Sequence, residues 1–139
     1  MNPRPIIILI LFGVLTYACK NEEAYVWKKL EVQASAYNSV PSQTDRLPSL
    51  AAWGDTLKPG MNCIAVSQDL IALGLDYGTQ IKINGFDSIF TVKDKMHSKW
   101  NSSIDIYMGV DVEKAKEWGR KKILIEYRVK RNNSQKLEK

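Results

Sequence analysis

Two aspartates, Asp94 and Asp105, stand eleven positions apart with a polar segment, Met96 to Ser103, between them. A carboxylic acid that keeps its proton near neutral pH can protonate the oxygen of a leaving group. Partial burial and a second carboxylate nearby both push a carboxyl that way, the first by desolvation and the second by repulsion. A pair of aspartates on neighbouring strands is more commonly solvated or bonded to a turn, so the spacing alone assigns no role. The single histidine, His97, lies in the same polar segment and reads as a solvated loop residue. Cys63 sits in the apolar run Cys63-Ile64-Ala65-Val66 and reads as a buried, inert thiol. No Cys or His spacing supports a metal and no nucleotide fingerprint occurs, so neither metal nor cofactor is expected.

The elements that position these residues are strands. Leu30 to Tyr37 alternates, with Val32, Ala34 and Ala36 on one face. Met61 to Ser67 reads as a second strand, followed by a helical turn that Ser67 or Asp69 can cap and Gly74 can end. Gln80 to Asn84 alternates through Ile81 and Ile83. In Ile89 to Asp94, Phe90, Val92 and Asp94 share one face, which puts a carboxylate beside two core-type residues. Ile104 to Gly109 sets Ile104, Ile106 and Met108 opposite Asp105 and Tyr107. Asp111 caps a helix over Val112 to Trp118, ended by Gly119, and Lys121 to Val129 is the last strand. On this reading Asp94 and Asp105 flank one loop between adjacent strands. Between the first two strands, Asn38 to Pro59 is an irregular stretch holding Pro41, Pro48 and Pro59, and loops of that length are usually functional. About six short strands and two short helices predict a small closed barrel, since closure protects the edges of so small a sheet.

The chain has 139 residues, room for one domain, and a formal charge of +5. The positive residues form no stripe of the kind a nucleic-acid groove needs, and Lys130, Arg131, Lys136 and Lys139 read as a solvated tail. At the other end, Arg4 precedes the apolar run Ile6 to Tyr17, which ends at Ala18-Cys19. The 14 residues from Pro5 to Ala18 fall short of the roughly 20 needed to span a bilayer. The pattern is that of a secretion signal, and the small residue before Cys19 resembles a lipobox, in which the cysteine is acylated and tethers the protein. The expected organisation is a signal over 1–19, a spacer over 20–29, a barrel over 30–130 and a polar tail over 131–139. The expected location is the cell envelope, lipid-anchored at the outer membrane, with the chain acting as a monomer.

From Val32 to Tyr127 the sequence resembles the three-aspartate (3D) domain family, related to the barrel of membrane-bound lytic transglycosylase A. The matching pieces are Ala34-Ser35-Ala36-Tyr37, Ala52-Trp53-Gly54, Lys58-Pro59-Gly60, Ile64-Ala65-Val66 and Gly78-Thr79-Gln80-Ile81-Lys82-Ile83. They continue as Val92-Lys93-Asp94, Ile104-Asp105-Ile106-Tyr107-Met108-Gly109, Ala115 and Trp118-Gly119-Arg120. The resemblance implies a six-stranded double-psi β-barrel. It also implies cleavage of peptidoglycan glycan strands between N-acetylmuramic acid and N-acetylglucosamine, leaving 1,6-anhydro ends. Asp105 takes the place of the catalytic acid in that scheme and Asp94 that of its supporting carboxylate. Trp100, Trp53, Tyr107 and Lys99 are the candidate substrate contacts. The chain departs from the family at three points. Ser67 stands where the first aspartate is expected, so the third acid is either lost or displaced by two residues to Asp69. Ala51 replaces a threonine. The segment Lys95 to Asn101 holds none of the glycines usual there. A non-catalytic glycan-binding or structural envelope lipoprotein on the same barrel is the alternative.

Overall fold

The computed structural model describes residues 24–40 and 47–131; the signal segment, Cys19, Pro41 and residues 132–139 of the tail lie outside them. The elements are β1 (Tyr25–Tyr37), β2 (Cys63–Val66), α1 (Gln68–Ala72), β3 (Gln80–Ile83), β4 (Ile89–Lys95), β5 (Ser103–Tyr107), α2 (Val112–Trp118) and β6 (Lys121–Lys130). The strands close in the order β1-β5-β2-β4-β3-β6. This is the expected six-stranded barrel with two short helices. Closure pairs both edges of the sheet over the barrel itself.

Alternation fills the interior. Ile64 pairs with Val92 on one side and Ile106 on the other, and all three are fully buried. Val66 and Ile104 form a second inward row with Ala34, and Ile81 a third with Phe90 and Tyr127. Each such aliphatic side chain taken out of water contributes about 1.5–3 kcal/mol, which is what holds four-residue strands such as β2 in place.

The path of the chain is less regular than its pairing. The connection from β1 to β2 steps over β5, and the connection from β4 to β5 steps over β2. The two strands stepped over are themselves an antiparallel pair, so the two psi-shaped excursions interlock. This corrects one expectation. β4 and β5 are neighbours in sequence but not in the sheet; β2 lies between them, parallel to β4 and antiparallel to β5. Neighbouring in sequence usually means neighbouring in space, and loop 96–102 breaks that rule because it is long enough to cross a strand.

β1 also starts earlier than expected. Residues 25–29, read as spacer, pair with β6 from Tyr25↔Lys130 to Lys29↔Glu126, and the amide of Arg131 donates to the carbonyl of Ala24 at 2.7 Å. The barrel domain therefore begins at β1's first residue, and Lys130 and Arg131 belong to the ladder rather than to a loose tail. Tyr25, Lys28 and Lys29 are exposed, so backbone pairing rather than burial holds this extension, and no hydrophobic alternation announces it.

α2 begins as expected. The Asp111 carboxylate accepts from the Lys114 amide at 3.0 Å, and Gly119, at φ 66°, ends the helix. Gly109 serves differently. It combines φ 61° with a close approach to Pro59, whose Cα would lie 3.3 Å from an added Cβ. That contact seats the β1–β2 connection on the end of β5.

Candidate active site

A β-bulge builds the site. β2 and β4 pair in step up to Ile64↔Val92; Lys93 is then skipped, and Ala65 lies opposite Asp94. Strict alternation assigns Asp94 to the inward face with Phe90 and Val92. The extra residue turns it instead to the outer face, beside Ala65. On its other side Ala65 pairs with Asp105, and Asp105 pairs with Ser35. One outer row thus runs Ser35, Asp105, Ala65, Asp94 across β1, β5, β2 and β4. Strands lie about 4.8 Å apart, so the two aspartate backbones are about 10 Å apart with only a methyl group between them. Above the row is a cavity of about 300 Å³ lined by Tyr37, Asp94, His97, Trp100 and Asp105, among others.

The two carboxyls have opposite surroundings. Asp94 is fully engaged: Oδ1 accepts from the amides of Ala52 at 2.7 Å and Lys95 at 2.8 Å, and the Tyr37 hydroxyl donates to Oδ2 at 3.4 Å. Ala52 belongs to the β1–β2 connection, so Asp94 clamps that connection to β4. Burial first, and then the Asp94 charge, push the Tyr37 phenol well above its usual pKa, keeping it a donor. Asp105 has the reverse arrangement. Its Oδ1 is buried with no hydrogen-bond partner among the described residues. Burial pushes its pKa up to about 6, with the Asp94 charge adding to the rise; a hydrogen bond from Ser35 and the charge of Arg120 oppose it. An aspartic acid in this state holds a proton in mildly acidic solution and can release it near neutrality.

The β1–β2 connection forms one wall. Asn38, fully buried, donates through Nδ2 to the carbonyls of Met108, Gly109 and Asp111 at 3.3, 3.3 and 3.0 Å. Beneath the connection Ala51, Leu57, Cys63 and Tyr107 make a small second core, with Tyr37 and Met61 against it. Cys63 is the inert thiol expected, its pKa raised to about 11 mainly by burial. Loop 96–102 forms the other wall and holds its shape without glycine. The Met96 amide donates to the Val66 carbonyl at 2.9 Å, and the buried Ser67 hydroxyl accepts from the Ser103 amide at 3.0 Å. Ser102 takes a left-handed φ of 46°, and its amide is held by Asp69 Oδ2 at 2.8 Å. Burial alone would raise the Asp69 pKa, but hydrogen bonds from Ser67, Ser102 and a local amide outweigh it and hold it below the usual range. Side-chain anchors do here what glycines do elsewhere.

The expected contact residues separate. Trp100 lines the cavity, with the Arg120 guanidinium 4.5 Å from its ring centroid and the Lys99 amine at 5.3 Å. Lys99 itself is exposed and does not line the cavity. Tyr107 is not a cleft residue: it is 4% exposed, its hydroxyl 2.7 Å from Ser39 Oγ and its ring 5.4 Å from Tyr37. It shares the outward face of β5 with Asp105, but the β1–β2 connection covers it. Trp53 lies off the cavity, against Tyr77 at 5.6 Å and under the Lys95 amine at 5.0 Å. Asp69 anchors the loop from outside the cavity. The sequence runs quoted above contain Ser35, Tyr37, Ala65 and Arg120 without assigning them a role in the site, and Asn38 stands outside those runs. A strand alanine and a loop asparagine carry no local signal of a site.

The fold and the cleft define a double-psi β-barrel carrying one buried acid beside one fixed carboxylate. No family model matches the chain, and no curated protein does. Among solved structures the chain is similar to an apo expansin of Clavibacter michiganensis, with 18% identity over 76% of this chain and 52% of that one and a TM-score of 0.43. The chain therefore spans about half the length of that expansin.

Proposed function

We propose that the protein is a lytic transglycosylase-like enzyme that cleaves peptidoglycan glycan strands, with Asp105 as its acid and base. The observation that carries this reading is the buried Oδ1 of Asp105, facing a cleft with no partner among the described residues, with the carboxyl pKa raised to about 6. The motif resemblance supplies the substrate. Protonated Asp105 gives its proton to the oxygen linking N-acetylmuramic acid to N-acetylglucosamine, and that bond breaks. The resulting carboxylate takes the proton of the muramic acid 6-hydroxyl as that oxygen closes on C1. The proton count balances and no water enters, so one carboxyl serves where hydrolysis uses two. Asp94 is a positioning residue: it fixes the β1–β2 wall and adds negative charge that keeps Asp105 protonated. The signal segment and Cys19 extend the proposal to an exported protein tethered to the envelope by lipid.

The test is digestion of purified sacculi by the full chain in detergent, read by mass spectrometry. The expected products end in 1,6-anhydromuramic acid and weigh one water less than hydrolysis products. Retention on sacculi without such products would replace this reading with non-catalytic glycan binding.

A further inference from the structure

A second, larger cavity of about 550 Å³ opens where the start of β1, the end of β6 and the turn before β3 meet. Its described lining includes Tyr25, Tyr77, Gln80, Arg128 and Lys130, and no carboxylate. Tyr25 and Tyr77 are 40% and 46% exposed, so both rings are open to a ligand. Arg128 is fixed rather than trailing in solvent: it donates to Gln80 Oε1 at 2.6 Å and lies 4.0 Å from the Tyr25 ring centroid. Lys93 holds the Tyr77 hydroxyl at 3.0 Å. A pre-set guanidinium against one aromatic ring, with a second ring lining the same cavity, suits a ligand with flat apolar faces and carboxylates.

Side-chain contacts link this cavity to the acid-bearing cleft. Tyr77 lines the larger cavity and meets Trp53 edge-on at 5.6 Å; Trp53 lies under Lys95 at 5.0 Å; and Lys95 lines the cleft of Asp94 and Asp105. These contacts between rings and amines run from one cavity to the other, with the Asp55 carboxylate, 3.3 Å from the Lys93 amine, beside them. We infer that the Tyr25–Tyr77–Arg128 cavity is a second binding site for the same polymer, taking the sugar rings and carboxylates of a glycan strand whose scissile bond lies at Asp105. Trp53, which is not in the cleft, thereby gains a place as the bridge. The inference rests on the proposed glycan substrate, but it is read by binding and not by cleavage.

The test uses full chain in detergent carrying Asp105→Asn, so that nothing is cut, and measures retention on intact sacculi and on amidase-stripped glycan strands. Tyr77→Ala and Arg128→Gln should each weaken retention on sacculi roughly tenfold, while Leu124→Ala, an exposed residue beside a different cavity, leaves it unchanged. Thermal melting checks that each variant is folded. If Arg128→Gln weakens binding to stripped strands too, the carboxylate belongs to the sugar; if only to intact sacculi, to the peptide stem. Retention unchanged in both folded variants would overturn the inference. Failure of the cleavage reading looks different: no anhydro products from the parent chain, with retention still sensitive to Tyr77 and Arg128.

Discussion

Asp94 and Asp105 occupy one row of one sheet, a methyl group apart, and their surroundings divide them. Around Asp94 the chain supplies two amides and a phenol, a full set of donors for a fixed charge. Around Asp105 it leaves one oxygen buried and, among the described residues, unpartnered, and raises the pKa to about 6. Equivalent residues acquire distinct roles from what their neighbours donate. Asp94 also clamps the β1–β2 wall of the cleft, whereas Asp105 has a hydrogen bond from Ser35 and one oxygen with no partner among the described residues.

If that division is correct, the two positions respond to substitution in opposite ways. The largest effect is on turnover. Asp105→Asn should reduce release of anhydro products from sacculi by 100-fold or more, the scale of a lost general acid (~10² to 10⁴). Next is Asp94→Ala, which strips two amides and a phenol of their acceptor. It should lower unfolding free energy by about 2 kcal/mol in urea melts, and any loss of turnover should accompany loosening of the β1–β2 wall. Asp105→Asn should do the reverse to stability. The native carboxyl titrates at about 6 against an ordinary 3.8, so between those values the folded protein holds a proton the unfolded chain has released. Stability therefore falls as pH rises through that window and levels off above it. At pH 7 Asp105→Asn should gain about 3 kcal/mol over the parent, with the gain vanishing near pH 4. A variant at once more stable and less active would mark Asp105 as a residue kept for chemistry. The smallest effect is at the rim: Trp100→Ala should raise KM about three- to tenfold with kcat nearly unchanged, since a stacking contact at the cleft mouth binds ground and transition states alike.

The sequence carried the strands well because their inward residues alternate. β5 and β6 are legible from Ile104 and Ile106 and from Ile125 and Tyr127, and α2 from Asp111 and Gly119. What it hid are the features that alternation does not encode. The bulge that skips Lys93 reverses the face of Asp94, and nothing local in Val92-Lys93-Asp94 announces it. The insertion of β2 between β4 and β5 is a long-range pairing, invisible to a reading that walks from one loop to the next. Tyr107 alternates correctly onto the face of Asp105 but is lost to the cleft, because a connection from elsewhere in the chain covers it. The start of β1 was missed because Tyr25 to Lys29 are held by backbone pairing, with little burial to pattern the sequence. The glycine-free loop is held by Ser67 and Asp69, two of the positions where the sequence departs from its resemblance.

One aspartate of the row, Asp105, is an acid whose surroundings hold its proton up to about pH 6. Carbon-13 NMR titration of the side-chain carboxyls, with Asp105 assigned by loss of its signal in Asp105→Asn, measures this without any substrate. The expected midpoint for Asp105 is near 6, moving down when Asp94→Asn removes the neighbouring charge. A midpoint for Asp105 in the ordinary aspartate range near 4 would contradict it.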